Sequence, residues 1–151
     1  MGNGEALDGV RVRDARIGDA SDVALLLQAL GYPCDRDEAA DRITRVLADP
    51  RQRLLIAEIG GHACGLAAMD LRYSLVRGSE QARITALVVA PECERQGVGR
   101  RLLRDLEGIA RQSGATRIDV VAAASRDNAH SFYRGCGYVD TSLHFAKLLG
   151  D

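Results

Sequence analysis

No apolar run in this sequence is long enough to cross a bilayer. The N-terminus, Met1-Gly2-Asn3-Gly4-Glu5, has no cationic segment leading into an apolar one, so no secretory signal is expected. Gly2 invites a myristoylation reading, but position six is Ala6 rather than Ser or Thr. Charge of one sign is lacking too. A formal net charge of −1 argues against a nucleic-acid binder or a membrane-surface binder. The four cysteines, Cys34, Cys64, Cys93 and Cys136, are widely spaced and include no Cys-x-x-Cys pair. No metal site is expected from them, and reduced thiols in a cytoplasmic chain are the simpler reading.

The composition is that of an ordinary soluble globular protein, 46% hydrophobic and 27% charged over 151 residues. That length fits one domain with one core. Residues 1–9 read as a flexible tail and 10–151 as a single domain. No repeat, low-complexity segment or linker is visible.

Apolar periodicity divides the chain. Val10 to Arg16 reads as a strand. Asp19 or Ser21 can cap a helix with Val23, Leu26, Leu27 and Leu30 inward, ended by Gly31. Asp35 with Glu38 forms a capping box for a second helix, with Ala39, Ile43, Val46 and Leu47 inward, stopped at Asp49-Pro50. Arg53 to Ile59 is strand-like. Gly60-Gly61 is a hairpin turn into a long strand, His62 to Leu75. Ile84 to Ala90 is the next strand. A third helix runs to Ser113, Arg117 to Ala123 is a strand, and Ser125 can cap a fourth helix with Ala129, Phe132, Tyr133 and Cys136 inward. Leu143 to Leu149 reads as a last strand, offering an edge on which two copies could pair as a homodimer. Hairpins make the early strands antiparallel. The helical crossover makes the strands on either side of the third helix parallel.

The stretch Glu94-Arg95-Gln96-Gly97-Val98-Gly99-Arg100-Arg101 stands where a strand gives way to a helix. Backbone N–H groups and the positive helix end converge there, and glycines let an anion approach the backbone. Arg95, Arg100 and Arg101 crowd an end that the helix dipole makes unfavourable for cations. A bound pyrophosphate would resolve that conflict. A bare structural turn would not. A mononucleotide-binding module fits less well, because Leu102 stands where a third glycine is needed and no Gly-Lys-Ser/Thr follows.

With Gly97-Val98-Gly99 after an apolar strand, and with the helix Arg126-Asp127-Asn128-Ala129-His130-Ser131-Phe132-Tyr133-Arg134-Gly135-Cys136-Gly137-Tyr138, the chain resembles the GCN5-related N-acetyltransferases. The first position of the family's turn signature falls on Glu94. The asparagine position of its helix signature falls on Arg126, with Asn128 two residues on; either can be the contact to a pantetheine arm. The resemblance implies a mixed, largely antiparallel sheet with a central parallel strand pair and helices on both faces. It also implies acetyl-CoA as acyl donor, with the acyl-CoA lying in a wedge where two strands splay.

The same resemblance implies an enzyme that moves acetyl to a primary amine of a small molecule or peptide, by direct attack in a ternary complex. Arg95, Gln96, Gly97, Val98, Gly99 and Arg100 would hold the pyrophosphate. Leu87, Val88 and Val89 would line the pantetheine arm, with Asn128 and Phe132 also at the cofactor. Tyr133 would protonate the departing thiolate. Glu80, Asp70 and Asp119 are the candidates for general base, with a water relay as the other route. The acids Asp35, Asp37, Glu38 and Asp41 either attract a cationic acceptor or solvate a helix start. His130 reads as solvated or structural, and His62 and His144 have no motif around them. A non-catalytic acyl-CoA sensor on the same fold is the alternative.

Overall fold

The computed structural model describes residues 9–121, 127–141 and 145–150. These fall into two compact units, divided between Val121 and Ala122. The expected tail lies outside the described residues, apart from Gly9.

The first unit is built on a five-stranded sheet. Its strands are β1 (Val10–Asp14), β2 (Gln52–Ile59), β3 (His62–Ser74), β4 (Ser79–Val89) and β5 (Ala115–Val120), hydrogen-bonded in that order. The first three pairings are antiparallel and β4–β5 is parallel. The parallel pair therefore stands at the end of the described strand order rather than in its middle. Helix α1 (Ala20–Leu30) packs on β3 and β4, and α2 (Arg36–Leu47) packs on α1 and β2. Helix α3 (Val98–Gln112) spans β2 to β5. Runs of consecutive buried residues, Leu54–Ala57 in β2 and Cys64–Ala67 in β3, fit strands covered on both faces.

Local signals explain most element ends. Gly31 closes α1 with φ 107°, and Asp35 and Glu38 form the expected capping box at the start of α2. Asp19 stands at the α1 N-cap but does not cap it. Its carboxylate instead takes the fork of Arg13 at 2.8 and 2.9 Å and the Arg16 N–H at 2.8 Å. The nearly buried Arg13 guanidinium beside it holds the Asp19 carboxyl below the usual carboxylate range. Leu47, expected inward, is 47% exposed, at the last residue of α2.

Strand β4 begins five residues before its expected start. The segment Ser79–Arg83 carries little apolar signal, since its outward side chains serve ion pairs: Glu80 with Arg51 and Arg83 with Asp119. The expected last strand is corrected. Residues 145–150 join no ladder, and Phe145, Leu148 and Leu149 are 90%, 96% and 94% exposed. Apolar residues make a strand only where a neighbour takes up the backbone groups. In the second unit, α4 (Asp127–Gly135) is followed by Gly137 at φ 93°, as expected, while Ser125 and Leu143 lie outside the described residues.

One glycine seats α3 on the sheet. A Cβ at Gly65 would lie 2.9 Å from the Val88 carbonyl oxygen, 3.1 Å from Leu102 Cδ1 and 3.2 Å from Val98 Cγ1. The nearest of these is backbone and cannot swing away. Gly65→Ala is expected to cost about 1–3 kcal/mol in urea unfolding, as overpacked cores do. It should also shift the start of α3.

Candidate functional site

Two features of the first unit meet where β4 passes into α3. The first is an unpaired strand edge. Strand β3 pairs with β4 as far as Val89, whereas β5 follows β4 only to Ile84, opposite Val120. The split falls at a bulge. Met69 lies opposite Ile84 and Ala68 opposite Ala86, so Thr85 is an extra residue in β4. A bulge bends its strand and raises the local twist. Beyond it, Ala86 to Val89 have no strand on the side away from β3, among the described residues.

The second feature is the glycine turn. The chain leaves β4 through a short 3-10 turn, Pro91–Cys93, and enters α3 with Gly97 as N-cap at φ 80°. Arg95 also has positive φ, 67°, which costs a side-chain-bearing residue about 1–2 kcal/mol. Alternating handedness of this kind turns successive N–H groups to one side. The first helical bond here is Arg101 N–H to the Gly97 carbonyl at 3.0 Å. The N–H groups of Gln96, Gly97, Val98, Gly99 and Arg100 find no acceptor among the described residues. Space above Gly97 is open, with nothing within 4 Å of where a Cβ would be. The first turn of α3 holds no acid, and among the described residues Arg95 and Arg100 form no ion pair. This donor set fits a pyrophosphate.

The other expected site residues divide by environment. The side chains of Val98 and Val88 are buried at 1% and 8% exposure, so only their backbones can meet a ligand. Leu87 and Val89 are half-buried, while Arg95, Gln96 and Arg100 are exposed. Arg101 is not part of the cluster. Its side chain reaches the Val10 carbonyl at 3.2 Å and Asp105 at 3.4 Å, tying α3 to β1. In the second unit Asn128 is exposed. The Phe132 and Tyr133 rings meet edge-on at 5.2 Å, and the Tyr138 ring lies 5.6 Å from that of Tyr133. Burial pushes the Tyr133 phenol up to about 12, with Cys136 adding to the shift. Arg126 and His144 lie outside the described residues.

Of the three carboxylates considered as base, two are occupied. Asp119 takes the Arg83 fork at 2.8 and 3.1 Å, which holds its carboxyl below the usual range. Glu80 is bound by Arg51. Asp70 differs, because its Oδ1 is buried with no hydrogen-bond partner among the described residues. By strand alternation Gly65, Ala67 and Met69 face α3, and Asp70 faces the opposite side with Arg83 beside it. The acids at the start of α2 are used locally. Asp35 and Glu38 cap, Asp37 meets Arg36 at 3.4 Å, and Asp41 meets Arg45 at 3.1 Å.

The Thr85 bulge and the orphaned Asp70 oxygen carry no sequence signal. The approach of Cys64 to Cys93, with their sulfurs 2.7 Å apart, carries none either.

Comparison with known proteins agrees with this geometry. The model of the acetyltransferase (GNAT) family matches residues 22–138. The chain is 30% identical over 139 residues to an aminoalkylphosphonate N-acetyltransferase of Salmonella typhimurium, covering 91% of this chain and 90% of that one. It is 30% identical over 134 residues to an aminoglycoside N(6')-acetyltransferase type 1 of Stenotrophomonas maltophilia, covering 86% of each. A GNAT family acetyltransferase from Staphylococcus aureus, 24% identical, superposes with a TM-score of 0.79 over 93% of this chain and 98% of that one. The chain belongs to the GNAT family and is an acetyl-CoA-dependent N-acetyltransferase. No helix among the described residues is long and apolar enough to cross a membrane.

The left-handed Arg95 gives a test of the turn with two readouts of different sign. Arg95→Gly and Arg95→Ala both remove the cation and should both weaken CoA binding. Only the glycine relieves the backbone. It should unfold at higher urea than the alanine variant, by about 1 kcal/mol. Equal stability would mean that residue 95 is unstrained.

Proposed function

We propose that this enzyme moves acetyl from acetyl-CoA to the primary amine of a small polar molecule, by direct attack in a ternary complex. The observation that carries the donor half is the glycine turn beside the open β4 edge. Five N–H groups without acceptors and two arginines without acids, among the described residues, suit a pyrophosphate. The backbone of Ala86 to Val89, with no strand on the side away from β3 among the described residues, suits an extended amide-bearing arm whose groups can extend the ladder. An N–H on that edge is also suited to polarise the thioester carbonyl.

The acceptor half rests on Asp70. A buried carboxylate oxygen without a partner among the described residues suits a donor, and a protonated amine is one. Asp70 then holds the ammonium and, directly or through water, takes its proton. The relatives named for aminoalkylphosphonate and for aminoglycoside support a small amine as the class. Tyr133 is assigned the proton for the departing thiolate. Its motif position supports this, and so does a phenol that stays neutral well above physiological pH.

Gly99→Asp tests the donor site. An acid in the first turn suits the helix dipole, so the fold should hold. A carboxylate about 4 Å from a phosphate repels it by about 4 kcal/mol near a protein surface. Calorimetric titration should show CoA affinity reduced by about 10²–10³-fold. Pantetheine, which lacks the pyrophosphate, should bind the wild type far more weakly than CoA. Equal affinity for the two ligands contradicts the assignment.

The two proton-handling groups separate kinetically. Tyr133→Phe keeps the ring and should leave CoA binding unchanged, while turnover falls by about 10²–10⁴, towards the smaller end because a thiolate is a fair leaving group. The wild-type-to-variant rate ratio should stay flat from about pH 7 to 10, because the phenol ionises only above that window. Asp70→Asn should instead raise KM for the amine while leaving CoA affinity unchanged. A Tyr133→Phe enzyme at wild-type rate, with chemistry limiting, would return that role to water.

A further inference from the structure

Three residues that acetyl transfer does not use converge at the root of the glycine turn. His62 and Cys64 stand two apart at the start of β3, and Cys93 ends the turn Pro91–Cys93. Pairing of β3 with β4 brings them together across 29 positions of chain, and the Ala90 N–H bonds the Cys64 carbonyl at 2.7 Å. A ring nitrogen of His62 and both sulfurs all lie within 4.8 Å of one another. The thiols are buried, at 1% and 5% exposure, and the imidazole is exposed, so the cluster opens to solvent on the histidine side. His62 Nε2 also lies 3.3 Å from a carboxylate oxygen of Glu92. A carboxylate that holds one imidazole nitrogen fixes the tautomer and leaves the other nitrogen for a metal, as metal-bound histidines commonly show.

We propose that His62, Cys64 and Cys93 form a zinc site, with Glu92 orienting the imidazole and water in the fourth position. Two thiolates and an imidazole are a soft, tetrahedral donor set, which selects zinc over the oxygen-seeking calcium and magnesium. Each thiol gives up its proton to solvent on ligation, two per ion. Zinc at about 2.3 Å from each sulfur would hold them about 3.8 Å apart, so the pair opens by about 1 Å. The ion would tie the start of β3 to the segment that feeds Arg95 and Gly97. The site rests on its own geometry and stands or falls apart from the acetyl-transfer reading.

Cobalt(II) is the probe. Chelator-stripped, reduced protein is titrated with it, while absorbance and proton release in weak buffer are followed. The expected result is a sulfur-to-cobalt charge-transfer band and tetrahedral d–d bands, both saturating at about one ion per chain with about two protons released. Zinc should displace the cobalt. Cys64→Ser and Cys93→Ser should each abolish the charge-transfer band. Should either buried variant fail to fold, His62→Ala and Glu92→Gln alter only exposed side chains. The first should weaken binding by at least about 10-fold, and the second by about 10–100-fold with an unchanged spectrum. No charge-transfer band in folded, reduced wild type overturns the site. So does wild-type affinity in His62→Ala, or a Cys64–Cys93 disulfide that forms in air at the same rate with and without zinc.

Discussion

One failure of pairing organises this molecule. Among the described residues strand β5 follows β4 to Ile84 and no further, and at that point β4 carries the extra residue Thr85, a bulge of the kind that bends a strand. Had the ladder continued, the backbone of Ala86 to Val89 would be satisfied on both sides and closed to any ligand. That edge leads within a few residues into a turn whose N–H groups also find no acceptor among the described residues.

The turn is held in position from below. Gly65 lets Val98 and Leu102 lie against β3, and Arg101 anchors the same helix to the end of β1. The turn into α3 can therefore carry a left-handed Arg95 and, with Arg100, two cations that pair with no acid among the described residues. Burial of Leu102, Leu103 and Leu106, none more than 2% exposed, supplies the attachment that outweighs this local strain.

Much of this was legible in the sequence because it depends on local chemistry. The capping box at Asp35 and Glu38, the Gly60-Gly61 hairpin and the strand–glycine–helix order each follow from a few neighbouring residues. What was not legible depends on partners far along the chain. The start of β4 is polar because its side chains answer Arg51, just before β2, and Asp119 on β5. Arg101 counts as one of a cluster in sequence, but one step round the helix from Arg100 turns it towards β1. Cys64 and Cys93 look isolated until two strands pair between them. The segment 145–150 misleads in the other direction, since its apolar residues suggest a strand that no neighbour completes among the described residues.

The central claim is that backbone groups of the turn and of the open β4 edge together receive the acyl donor. Amide chemical shifts followed by NMR during titration with CoA test it most directly. The account predicts shifts concentrated in residues 96–100 and 86–89, with slowed hydrogen exchange at the same amides once CoA is bound. Saturable CoA binding that leaves those amides unmoved and moves others would contradict it.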